Sequence, residues 1–118
     1  MTTSPGFARK PDYPLTIQPA GRAVSVRLNG QVIASSENAL EMREADYPPV
    51  LYFPPEDVDM AAAARTETTS FCPFKGEASY WRFDDAADVA WSYEAPFDEV
   101  AGIAGHLAFY PDRVDAID

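Results

Sequence analysis

Val24-Ser25-Val26-Arg27-Leu28-Asn29-Gly30-Gln31-Val32-Ile33-Ala34-Ser35 carries the clearest structural instruction in the chain. Val24, Val26 and Leu28 alternate with Ser25 and Arg27, the two-residue period of a strand with one buried face. Asn29-Gly30 then interrupts, and a second strand-like run follows. Both central residues of a type I′ turn need positive φ, which asparagine and glycine tolerate. The segment therefore predicts a β-hairpin.

Toward the C-terminus the same reading continues. Leu40 and Met42 alternate with Glu41 and Arg43, predicting a third strand, and Pro48-Pro49 breaks the chain before the short apolar run Val50 to Phe53. Pro54-Pro55-Glu56-Asp57 predicts a helix through Met60 to Ala64 that ends near Arg65, because proline and acids suit a first helical turn. Thr66 to Phe71 is β-branched and aromatic, a strand that runs into Cys72-Pro73-Phe74-Lys75-Gly76. Ala78 to Phe83 alternates, with Tyr80 and Arg82 on one face and Trp81 and Phe83 on the other. A turn is expected over Asp84 to Asp88 and a strand over Val89 to Tyr93. Pro96 to Gly105 should hold a short helix, with Val100, Ile103 and Ala104 on one face, before a strand at His106 to Tyr110. Pro111 to Asp118 is a tail or a last short strand.

Toward the N-terminus the pattern fades. Residues 1–18 hold Pro5, Pro11 and Pro14 with little periodicity and read as an arm, loose or lying across the surface. Residues 19–118 then form a single domain. The fold class expected is mainly β (α+β): a compact, barrel-like antiparallel sheet of roughly eight strands with one or two short helices.

Composition narrows the function. Of 118 residues, 47% are apolar, enough for a core, and most of the aromatic residues fall between Tyr47 and Tyr110. A small domain has little room to bury so many rings, so some should line a pocket or a partner surface. Net charge is −10, a field that repels phosphate backbones, and no basic stripe interrupts it; no nucleic-acid partner is expected. With one cysteine, Cys72, an intramolecular disulfide is impossible. No apolar run is long enough for a bilayer and residues 1–10 lack the apolar core of a leader, so a soluble, cytoplasmic protein without a membrane partner is expected.

Several segments together resemble a known family. They are Leu40 to Glu44, Tyr47 to Pro54, Glu56 to Val58, Thr69 to Tyr80, Ala90 to Tyr93 and Gly105 to Tyr110, with Cys72-Pro73-Phe74-Lys75-Gly76-Glu77-Ala78-Ser79-Tyr80 the most specific stretch. Over about Arg22 to Val114 the chain looks like the domain-of-unknown-function 427 family, catalogued as nucleotidyltransferase-like. That resemblance implies a small, mainly β, tent- or barrel-like domain and no established reaction. It departs at Leu51, where the family often carries an aromatic residue.

Candidate chemistry is sparse. Cys72, with Lys75 three residues on, could be a nucleophile, with the only histidine, His106, or Lys75 as its proton carrier. A small buried apolar role for Cys72 is the stronger reading, because no third triad member is in view. Lys75-Gly76 fails as a phosphate loop, because Gly76 stands where a hydroxyl belongs. Asp84, Asp85 and Asp88 suggest a solvated turn rather than a Mg²⁺ grip, and one cysteine with one histidine cannot build a zinc site, so neither metal nor cofactor is expected. The leading expectation is a pocket for a small anionic or aromatic ligand, edged by Arg43, Tyr52, Lys75, Tyr80, Arg82, Trp91 and Tyr93. The alternatives are an enzyme using Cys72, and a protein-interaction module whose exposed aromatics also leave room for self-association.

Overall fold

In the computed structural model, which describes residues 2–118, Asn29 and Gly30 have φ of 52° and 80°, as a type I′ turn demands. They join β2 (Val24–Leu28) to β3 (Gln31–Ser36). The pairing skips one residue of β3 beside Val26 and Arg27, so Ile33 and Ala34 both turn inward. β10 (Ala116–Ile117) pairs with the other side of β2 and completes a three-stranded antiparallel sheet.

A second three-stranded sheet centres on β4 (Leu40–Glu44), flanked by β1 (Leu15–Pro19) and β5 (Val50–Tyr52). The largest sheet runs in the order β6 (Ala63–Cys72), β7 (Gly76–Phe83), β8 (Ala86–Ser92) and β9 (Leu107–Phe109), all antiparallel. Phe53 and Leu107 exchange backbone hydrogen bonds of 2.7 and 2.9 Å, tying the second sheet to the largest. None of the three closes into a barrel.

The four-stranded sheet separates two apolar clusters. Trp81, Phe83, Ala90, Leu107 and Phe109 belong to one, with Val24, Val26, Leu28 and Ile33 of the hairpin. Ala78, Tyr80, Trp91 and Ala108 belong to the other, with Met42 and Tyr52 of the second sheet. Alternation along the strands produces this division: each strand sends successive side chains to opposite cores.

Three expectations change. The helix expected from Pro54 to Arg65 is two separate 3₁₀ turns, Pro55–Asp57 and Met60–Ala62. Val58 between them is buried, extended and bridged to Ala34, and Ala63 already begins β6; tertiary pairing overrides local helical preference. The short helix expected within Pro96 to Gly105 is present as the 3₁₀ segment Asp98–Ile103, with Val100 and Ile103 buried but Ala104 exposed rather than on their face. Finally, the expected turn at Asp84 to Asp88 shrinks to Asp84-Asp85. Asp88 sits instead in a bulge of β8, at φ 53°, opposite a second bulge of β6 across the intervening β7. Thr66 and Thr68 of β6 donate to its two carboxylate oxygens at 2.6 and 2.7 Å.

The N-terminal residues are woven into the fold. Ser4 caps α1 (Pro5–Arg9), accepting from the Phe7 amide, and donates its own hydroxyl to the Pro73 carbonyl at 2.7 Å. Gly6 lies so close to the β6–β7 turn that a Cβ there would stand 2.7 Å from Phe74. β1 then pairs with β4 over five residues, so strand structure crosses the boundary expected after residue 18.

Candidate functional site

Four of the seven residues expected to edge a pocket, Tyr52, Tyr80, Trp91 and Tyr93, lie in one cluster, and Cys72 joins them. Tyr52, 1% exposed, and Tyr93 are buried between the second sheet and the largest one, with Cys72, Tyr80 and Trp91 packed partly buried against them. Tyr52 meets Trp91 edge to face at 6.3 Å, Trp91 meets Tyr110 at 4.5 Å, and Tyr110 lies nearly parallel to Tyr80 at 6.5 Å. Burial pushes the Tyr52 and Tyr93 hydroxyls well above the usual phenol range, with Glu44 and Cys72 adding to it. Tyr52 and Tyr93 are packed into the core between the two sheets, while Trp91 also lines a cavity.

The cations behave differently. Arg43 lies on the opposite side of β4 from buried Met42, with its side chain 61% exposed and paired to Glu41 at 2.8 Å. Arg82 is exposed near Asp88, outside the aromatic cluster. The charged edge expected from Arg43 and Arg82 is therefore not assembled, because strand alternation turns Arg43 outward and Arg82 lies toward the hairpin tip. His106 donates Nδ1–H to the Ala104 carbonyl at 3.1 Å, and among the described residues no hydrogen bond joins it to Cys72.

Lys75 is held. Its ammonium bonds one oxygen of Glu44, and Tyr13 donates its hydroxyl to the other at 2.8 Å. The Lys75 and Glu44 side chains are only 13% and 16% exposed, so the pair is largely shielded. Burial, then the bond to Glu44, pushes the Tyr13 hydroxyl up to about 12. Sequence reasoning missed Glu44 as the partner of Lys75 and Tyr13 as the second partner of Glu44. Alternation at Leu15 and Ile17, and the Ser4-Pro5 start signal, were the available clues to an ordered N-terminus.

Beside this network lies a cavity of about 440 Å³ between α1 and the β6–β7 turn. Pro5, Gly6, Pro73, Phe71, Phe74 and Tyr13 form its walls, and Arg9 and Lys10 line it. Tyr13 stacks on Phe74 at 3.8 Å, and Phe7 meets both rings edge to face at 6.1 and 5.2 Å. Phe71 is 64% exposed at the strand end. Among the described residues Arg27, Arg43, Arg65 and Lys75 form ion pairs, whereas Arg9 and Lys10, like Arg22, Arg82 and Arg113, form none. A second cavity, of about 290 Å³, includes Trp91.

Among the described residues no three His, Cys, Asp or Glu side chains gather to hold a metal ion, and no helix is long and apolar enough to cross a membrane. A mainly β domain of three antiparallel sheets is the class these observations define. The family model for the domain of unknown function DUF427 matches residues 16–118, and the chain belongs to that family. No curated protein matches it. The match leaves out most of the N-terminal segment that lines the larger cavity.

Proposed function

We propose that the protein binds a small, flat, anionic molecule in the cavity between α1 and the β6–β7 turn. One observation carries this reading: Arg9 and Lys10, two cations without ion pairs among the described residues, line the larger of the cavities beside the Tyr13–Phe74 stack. The volume falls within the range of small-ligand pockets, and aromatic walls with a few directed charges are how such pockets select a planar anion. Arginine suits a carboxylate or phosphate in two-point contact, and lysine adds a point charge.

This moves the anion contact expected of Lys75 to its neighbours, since Glu44 already occupies the Lys75 ammonium. The free Cys72 thiol suits a reducing compartment such as the cytoplasm. A thermal-shift panel of aromatic carboxylates and aryl phosphates tests the reading. Stabilisation by flat anions, reduced about ten-fold in affinity by Arg9→Ala with Lys10→Ala, is expected from the loss of charge-assisted contacts. Equal stabilisation of the double variant would count against this site.

A further inference from the structure

The second cavity is of a different kind. It occupies about 290 Å³ at the corner where β5 meets β9 and β10, and all of its lining residues are apolar. Phe53 and Phe109, both buried and edge to face at 5.6 Å, belong to the packed core and give the cleft a firm wall. Trp91 forms another, fixed between the Tyr52 and Tyr110 rings. Ile117 closes the outer side from β10, a strand of two residues held on β2 by backbone bonds such as Asp118 to Ser25 at 2.8 Å. Leu51 and Pro111 complete the rim.

Four arguments specify the occupant. No ionisable side chain lines the cleft, so a charged ligand would lose its hydration without gaining a counter-charge. The chain's charge of −10 further disfavours an anion there. An apolar cavity of about 150 Å³ accommodates benzene, so this volume suits one or two fused rings and is too small for a protein segment. Three aromatic walls offer both ring edges and ring faces, the geometry in which another aromatic packs best.

The geometry points to a binding site for a small uncharged aromatic molecule in this cleft. It stands apart from the anion cavity and does not depend on it: the two share no lining residue.

Titrating the full chain with 2-naphthol, followed by ¹H–¹⁵N NMR, tests the site. Saturable shifts are expected at the Trp91 indole N–H and at the Leu51 and Ile117 amides, with Gly6 and Arg9 unmoved. Leu51→Trp, which fills the cleft, should weaken binding at least about ten-fold, while Leu51→Met, close in volume, should change it less than about three-fold. Absence of saturable shifts at Trp91 in the unaltered protein overturns the proposal, and so do shifts confined to Gly6 and Arg9. The unaltered protein decides the matter even if Leu51→Trp fails to fold. Binding of an anion at Arg9 and Lys10 has no bearing on this outcome.

Discussion

Glu44 does at residue scale what several strands do elsewhere: it joins the N-terminal segment to the β6–β7 turn. Each carboxylate oxygen has its own partner, Lys75 on one and Tyr13 on the other. Glu44→Gln leaves the shielded ammonium without its counter-charge, a change more costly than losing a surface pair. A loss of about 2 kcal/mol is expected by denaturant titration, with Tyr13→Phe costing about 1 kcal/mol. The same network sets an alkaline limit. The Tyr13 hydroxyl titrates near 10 when unfolded and about 12 when folded, so the folded state favours its neutral form. Its contribution is complete below about pH 10 and lost as pH rises toward about 12. Tyr110, also pushed up to about 12 by burial and then by Tyr80, adds to the same fall. Stability measured from pH 9 to 12 should drop less steeply in Tyr13→Phe; identical slopes would show that Tyr13 is not the group responsible.

At the scale of elements, the paired bulges of β6 and β8 matter most. They bring Thr66, Thr68 and Asp88 together across β7, and these hydroxyl bonds, Thr66 first, hold the Asp88 carboxyl below its usual range. Asp88→Ala removes both acceptors and places a side chain ill suited to left-handed φ there, so a loss of about 2 kcal/mol is expected. Asp88→Asn keeps one acceptor and tolerates that φ, and should cost about half as much; equal losses would show that the conformation is not the issue. Because the Asp88 pKa is lowered on folding, its contribution holds above the ordinary aspartate range and is lost as pH falls through the folded value.

The strands themselves were legible because their signals are local: alternation at Val24 to Leu28 and Ala78 to Phe83, and Asn29-Gly30 between two runs. The bulges were not. A bulge keeps the same residue types and changes only register, and Asp84 to Asp88 has the composition of a turn. The helix expected at Pro54 to Arg65 failed for a related reason, since the bridge between Val58 and Ala34 spans distant sequence. For the site, Tyr52, Tyr80, Trp91 and Tyr93 were grouped only as an expected pocket edge, and nothing in the sequence showed that Lys75 already had Glu44. Arg9 and Lys10 lay in a stretch with too few apolar residues to show a period.

For the whole molecule, the sheets form two cores with the four-stranded sheet between them, and the N-terminal segment closes one end of the second core. Phe7 packs against that core while Arg9 and Lys10, two and three positions on, line the cavity above it. A strongly acidic molecule repels anions at long range, and added salt screens that repulsion along with the local attraction. Affinity for an aromatic anion should therefore depend only weakly on salt, whereas the Arg9 and Lys10 contribution should be largest at low ionic strength.

The most direct measurement is an ¹H–¹⁵N NMR titration of the full chain with 2-naphthoate, the anionic counterpart of the neutral probe. Saturable shifts should centre on Gly6, Arg9, Lys10 and Phe74, the residues facing the cavity, and should weaken about ten-fold when Arg9 and Lys10 are both replaced by alanine. Shifts scattered over the surface, or unchanged by that replacement, would contradict the assignment of the cavity as an anion site.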